Sequence, residues 1–91
     1  MNYFQLADVI GIIGVFIILA AYYLLNIGKM NALNIYYQLM NLVGSVLILF
    51  SLFYQWNLPA VIIEVSWIIV SFIGIFRILR LAGKLEDGDV N

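Results

Sequence analysis

The sequence predicts an all-α membrane protein with three transmembrane helices per chain, in a bundle completed by oligomerisation. Two observations predict this class. Of the 91 residues, 66% are hydrophobic and only 10% charged, whereas soluble domains run near a quarter charged and need polar atoms to cover their surface. The apolar residues also fall into three runs, each close to the roughly 20 residues that a helix needs to cross a hydrocarbon core of about 30 Å. Strands are disfavoured, because open sheet edges cannot be satisfied in lipid and a closed barrel needs at least about eight of them.

The first run, residues 9–25, contains no charge and gives way to the polar stretch Asn26-Ile27-Gly28-Lys29-Met30-Asn31. A helix over about 8–26 follows, with Asp8 as its cap. The second run, residues 36–54, is interrupted only by Gln38, Asn41, Gly44, Ser45 and Ser51, giving a helix over about 35–55. The third begins at Leu58-Pro59 and carries a single charge, Glu64, before Arg77 and Arg80, giving a helix over about 58–80. Pro59 suits the first turn of that helix, where its missing N–H costs nothing. Residues 1–82 thus form one transmembrane domain, and residues 83–91, with Glu86, Asp87 and Asp89, form a solvated acidic tail. The short linkers make successive helices antiparallel neighbours. Tyr3, Tyr54 and Trp56 then fall near one interface, and Tyr36 and Tyr37 near the other.

Charge placement sets the expected orientation. With three spans, the N-terminus and the second linker share a side that carries no Lys or Arg, while Lys29, Arg77, Arg80 and Lys84 share the other. The positive-inside rule places those four in the cytoplasm, the N-terminus outside and the acidic tail inside, in the inner membrane of a bacterium. No Lys or Arg precedes the first run, so an uncleaved start is expected rather than a signal peptide. The one-sided bias also implies that protomers of an oligomer run parallel.

Composition excludes several function classes. The net charge is −1 and there is no basic stripe for phosphates, so nucleic acid is not a partner. Without Cys or His there are no disulfides, thiol nucleophiles, imidazole bases or ordinary transition-metal sites, and no cofactor or metal is expected. A lone intramembrane carboxyl supplies neither a catalytic dyad nor a metal centre, so no enzyme is expected.

Projection at about 100° per residue places the small and polar residues on one face of each helix. The first carries Ala7, Gly11, Gly14 and Ala21, a stripe of the kind that lets helix backbones approach in lipid. The second gathers Asn34, Tyr37, Gln38, Asn41, Gly44, Ser45 and marginally Ser51. Unsatisfied amides in hydrocarbon cost several kcal/mol, so this face meets protein or water. Interhelical hydrogen bonding, a cavity and an oligomer axis are all compatible with it. The third helix aligns Ala60, Glu64, Trp67, Ser71 and Gly74. Glu64 lies about 9 Å inside the outer boundary at 1.5 Å per residue. A carboxylate there is disfavoured by roughly 2.5–3.5 kcal/mol or more, so it is protonated, paired or facing water. No Lys, Arg or His lies at comparable depth in the chain. Counting from the outer ends puts Glu64 level with Gly14 or Val15 and with Ile48 or Leu49, and Ser71 level with Asn41, so two polar layers are expected.

Two resemblances extend along the chain. The strings Tyr37-Gln38-Leu39-Met40-Asn41-Leu42-Val43-Gly44 and Asn57 through Trp67, followed by Ser71-x-x-Gly74-x-x-Arg77, resemble a family of small, functionally uncharacterised three-helix bacterial membrane proteins. The topology, and locally Leu58-Pro59 with its spacing to Glu64, is similar to the SemiSWEET sugar transporters of the PQ-loop superfamily. That resemblance implies a parallel homodimer with a solute site between protomers near midmembrane. Glu64 stands where those transporters carry a substrate-binding Asn, and Gly44 matches a family glycine. The hinging Pro-Gln pair of their first helix is absent here, with Leu19 and Ala20 nearest its place, and Ile48 stands near their substrate-stacking Trp. Glu in place of Asn suits a cationic solute or proton coupling.

The expected function is therefore a dimeric small-solute transporter or channel. Glu64 binds or couples, Asn41, Ser71, Gln38 and Ser45 line polar layers, Trp67 packs at the site, and Gly11, Gly14, Gly44 and Gly74 serve helix packing. The alternative is a non-transporting scaffold or regulatory subunit whose polar faces form an interface with itself or with a larger membrane partner.

Overall fold

The computed structural model describes residues 2–86, of which the Glu86 side chain is not described. Three helices follow one another: α1 (Tyr3–Asn26), α2 (Ile35–Leu52) and α3 (Leu58–Glu86). Each is long and apolar enough to cross a membrane.

The helix ends differ from expectation in ways that the capping chemistry explains. Asp8 does not cap α1; it lies in the second turn. Asn2 is the cap, its side chain accepting from the Gln5 N–H at 2.8 Å while the Gln5 side chain accepts from the Asn2 N–H at 3.2 Å. This reciprocal pair satisfies two of the free donors of the first turn and starts the helix earlier, bringing Tyr3 and Phe4 into it. At the other end Gly28 takes φ +81°. That conformation lets the Gly28 N–H donate to Leu25 O at 3.2 Å and the Lys29 N–H donate to Leu24 O at 2.9 Å, the paired bonds of a Schellman stop.

α2 is capped by Asn34, whose side chain accepts from the Tyr36 N–H at 2.8 Å. It ends at Leu52, short of the expected 55. Asn57 caps α3 by accepting from the Ala60 N–H at 3.2 Å, and placing it there requires residues 53–57 for the reversal. α3 continues past the expected 80 to Glu86. Leu81, Ala82, Lys84 and Leu85 sustain it, and Lys84 in the last turn complements the negative end of the helix. Gly83 alone costs about 1 kcal/mol, too little to break it. Residues 83–86 are thus helical rather than tail, while Asp87 and Asp89 of the expected acidic tail lie outside the described residues.

α2 occupies the middle. It packs antiparallel against α1 on one side and α3 on the other, and among the described residues no Cα of α1 comes within 8 Å of one of α3. The interior of this row is small or polar: Ala7, Gly11, Gly14 and Ala21 of α1, Gln38, Asn41, Gly44 and Ser45 of α2, and Ser71 of α3 are buried. Large apolar side chains point outward, Phe16, Val70 and Ile73 each more than 60% exposed. Such inversion suits apolar surroundings and agrees with three helices long and apolar enough to span a membrane. At one end Phe4 meets Tyr54 edge-on at 6.2 Å, and Tyr54 lies 5.5 Å from Phe50. Exposed Tyr3 and Trp56 lie toward the same end, an aromatic grouping of the kind that suits a membrane–water interface.

Candidate functional site between helices two and three

The polar stripe of α2 spans an arc wider than one neighbour can cover, and the two flanking helices divide it. α1 takes the small part. A Cβ added to Gly14 would stand 2.5 Å from the Gly44 carbonyl oxygen, and one added to Gly11 would stand 2.7 Å from the Ser51 side chain. α3 takes the amides and Ser45.

Along the α2–α3 seam the residues pair in sequence. Gln38 lies across Gly74, where an added Cβ would meet its amide at 2.5 Å, and its Nε2 donates to Ala32 O at 2.8 Å. Next comes Asn41, 5% exposed. Its Nδ2 donates to Tyr37 O at 2.8 Å and its Oδ1 accepts from Trp67 Nε1 at 2.9 Å, so both ends of the amide are used. Ser71 is buried beside this layer. One turn further on, Ser45 is fully buried opposite the partly exposed Glu64. Here the bonding weakens: the Ser45 hydroxyl lies beside the Glu64 carboxyl, but neither Ser45 Oγ nor Glu64 Oε2 makes a hydrogen bond of full geometry.

The structure thus brings together Glu64 with Ser45, Asn41 with Trp67, and Gln38 with Gly74. Glu64 sits level with Ser45, about one turn deeper on α2 than the Ile48 or Leu49 expected from counting inward. The shift arises because α2 stops at Leu52 and the linker takes the residues assigned to its last turn. Gly11, Gly14 and Gly44 lie in the other seam and do not border Glu64. Sequence reasoning missed Asp8, which lines a cleft of about 280 Å³ between α1 and α2 with Gly11, Ile12, Val15, Ile48 and Ser51. The Asn2-x-x-Gln5 pattern was the available signal, since it frees Asp8 from capping. Among the described residues no three His, Cys, Asp or Glu side chains come together.

A family model of uncharacterised proteins matches residues 7–83. The chain belongs to that family. The match covers all of α2 and nearly all of α1 and α3, and so both seams. No curated protein and no solved structure matches the chain.

The Asn41–Trp67 contact has a measurable strength. In membranes such interhelical bonds average about 0.6 kcal/mol and reach about 1.7 kcal/mol. A double-mutant cycle of Asn41→Leu and Trp67→Phe, followed by unfolding in mixed micelles, is expected to give a coupling of about 1 kcal/mol, near the middle of that range. Additive single effects would mean that the bond contributes nothing.

Proposed function

We propose that the chain is one half of a small-solute transporter or channel, a SemiSWEET-like three-helix unit that works as a parallel homodimer in the bacterial inner membrane. Glu64 is its binding or coupling carboxyl and Ser45 the hydroxyl beside it. The observation that carries this reading is the buried pair Ser45 Oγ and Glu64 Oε2, which lie beside one another yet make no well-formed hydrogen bond to each other or to a third group, in a seam whose two amides are both bonded. Groups that serve packing alone are normally satisfied, because an unpaired polar atom in an apolar setting is costly. A cationic solute or a proton would supply what is missing. The α1 and α3 backbones stay more than 8 Å apart on either side of α2, so one chain offers a row of helices rather than an enclosure, and a second copy would complete it.

The test is flux in reconstituted vesicles carrying a pH-sensitive dye and offered a panel of small cationic and neutral polar solutes. Wild type is expected to move protons or one solute class, and Glu64→Gln to abolish or uncouple that flux while the oligomer persists. Unchanged flux in the variant across pH would refute the assignment of Glu64.

A scaffold or regulatory role is the second reading, favoured by one observation: Gln38, Asn41 and Trp67 bond within a single chain rather than toward an open surface. It expects Glu64→Gln to be silent and one stoichiometric membrane partner to co-purify.

A further inference from the structure

α3 is longer than a bilayer requires. Its 29 residues extend about 43 Å at 1.5 Å per residue, against a hydrocarbon core of roughly 30 Å. Counting about 20 residues from Leu58 reaches Ile78, so Arg77 and Arg80 emerge at the membrane boundary and Lys84 stands about 9 Å above it. The packing agrees, since Gln38 near the start of α2 is already level with Gly74, leaving the last turns of α3 beyond the bundle.

Arg77, Arg80 and Lys84, spaced three and four apart, share one face of the helix, a short basic stripe where the net charge of −1 predicts none. Together with Ile73, Phe76 and Leu81 they line a cleft of about 230 Å³. The Arg80 guanidinium lies 6.0 Å from the centroid of the Phe76 ring, one turn nearer the membrane. This contact keeps the Arg80 guanidinium over the Phe76 ring, on the membrane side of its own turn. The carboxylates of Asp8 and Glu64 cannot reach the cleft; Glu64 is 13 positions before Arg77 on the same helix, about 20 Å away.

We propose that this cleft binds an anionic phospholipid, its phosphate held by Arg77, Arg80 and Lys84 beside Leu81 and its upper acyl chain resting on Ile73 and Phe76. Charge complementarity and level both select this occupant. Three cations in a row match a phosphodiester, guanidinium groups bond two phosphate oxygens at once, and apolar walls on the membrane side match the hydrocarbon that follows a lipid headgroup. A free phosphate would leave those walls without a partner. The site is independent of Glu64 and of any transport activity.

Native mass spectrometry of the full chain in detergent, titrated separately with phosphatidylglycerol and phosphatidylcholine, tests the proposal. Wild type is expected to bind phosphatidylglycerol at least about tenfold more tightly, and excess inorganic phosphate should not displace it. Each basic group near a lipid surface contributes roughly fivefold, so Arg77→Gln with Arg80→Gln should weaken binding about 30-fold. The exposed loop variant Lys29→Gln should leave binding unchanged, and far-UV circular dichroism should confirm that all variants keep their helices. Equal affinity for the two lipids, displacement by inorganic phosphate, or full binding by the double variant would overturn the site. So would binding that appears only after Glu86→Gln, Asp87→Asn and Asp89→Asn, because the chain's own carboxylates would then be the occupant.

Discussion

Gly14→Leu is expected to separate α1 from α2 and to destabilise the protein by about 3 kcal/mol or more, the upper end of what overpacking costs. Even the first carbon of the new side chain has nowhere to go. It would stand 2.5 Å from the Gly44 carbonyl oxygen and 3.0 Å from both Leu47 Cβ and Ile48 Cγ1. The contact is reciprocal, since a Cβ on Gly44 would stand 2.8 Å from the Gly14 carbonyl oxygen and 2.6 Å from Ile18 Cγ1. A backbone oxygen cannot rotate aside, so the helices must part, and in lipid there is no hydrophobic force between them to offset the lost packing. Gly74 offers the contrast. A Cβ there meets only the end of the Gln38 side chain, which can swing away at the cost of its bond to Ala32 O, about 1 kcal/mol. Unfolding in mixed micelles of increasing dodecyl sulfate content, followed by circular dichroism, should therefore separate Gly14→Leu clearly from Gly74→Ala. Equal midpoints for the two variants would contradict the close α1–α2 approach.

The same contacts explain what was legible in the sequence. The stripe of Ala7, Gly11, Gly14 and Ala21 could be read directly, and these are the buried residues of α1. A 3.6-residue period and an apolar solvent leave small residues only one useful direction to face. The polar arc of α2 was equally visible, and Gln38, Asn41, Gly44 and Ser45 are its buried members. Its division was not. Projection about a helix axis says which residues share a face, but Gly44 turns toward Gly14 while Asn41 and Ser45 turn toward Trp67 and Glu64, and that depends on where two separate neighbours sit. Helix ends escaped for a related reason. Hydropathy registers where lipid contact stops, whereas α1 begins and α2 ends where Asn2 and Asn57 find backbone N–H groups to accept. An error of about one turn at the end of α2 then moved the expected neighbour of Glu64 from Ile48 or Leu49 to Ser45.

Glu64→Leu is expected to raise stability, by about 2 kcal/mol, even as it removes the proposed function. A carboxyl at the centre of a membrane helix costs roughly 2.5–3.5 kcal/mol, and Glu64, about 9 Å from the boundary, bears somewhat less. Inside the chain only the neighbouring Ser45 hydroxyl could offset that cost, and it makes no well-formed hydrogen bond to Glu64 Oε2. Leucine keeps the volume and discards the penalty. Asn41 should behave in the opposite sense: Asn41→Leu strands the Trp67 N–H that its Oδ1 accepts at 2.9 Å and is expected to lose about 1 kcal/mol. The two substitutions are chemically alike, polar to leucine in one seam, so opposite signs would separate a group retained for a ligand from one retained for the fold. Stability bought at the expense of activity is what replacing a binding residue ordinarily yields. Should Glu64→Leu instead lower the unfolding midpoint, Glu64 would be joining α2 to α3, and its place at the centre of a solute site would have to be given up.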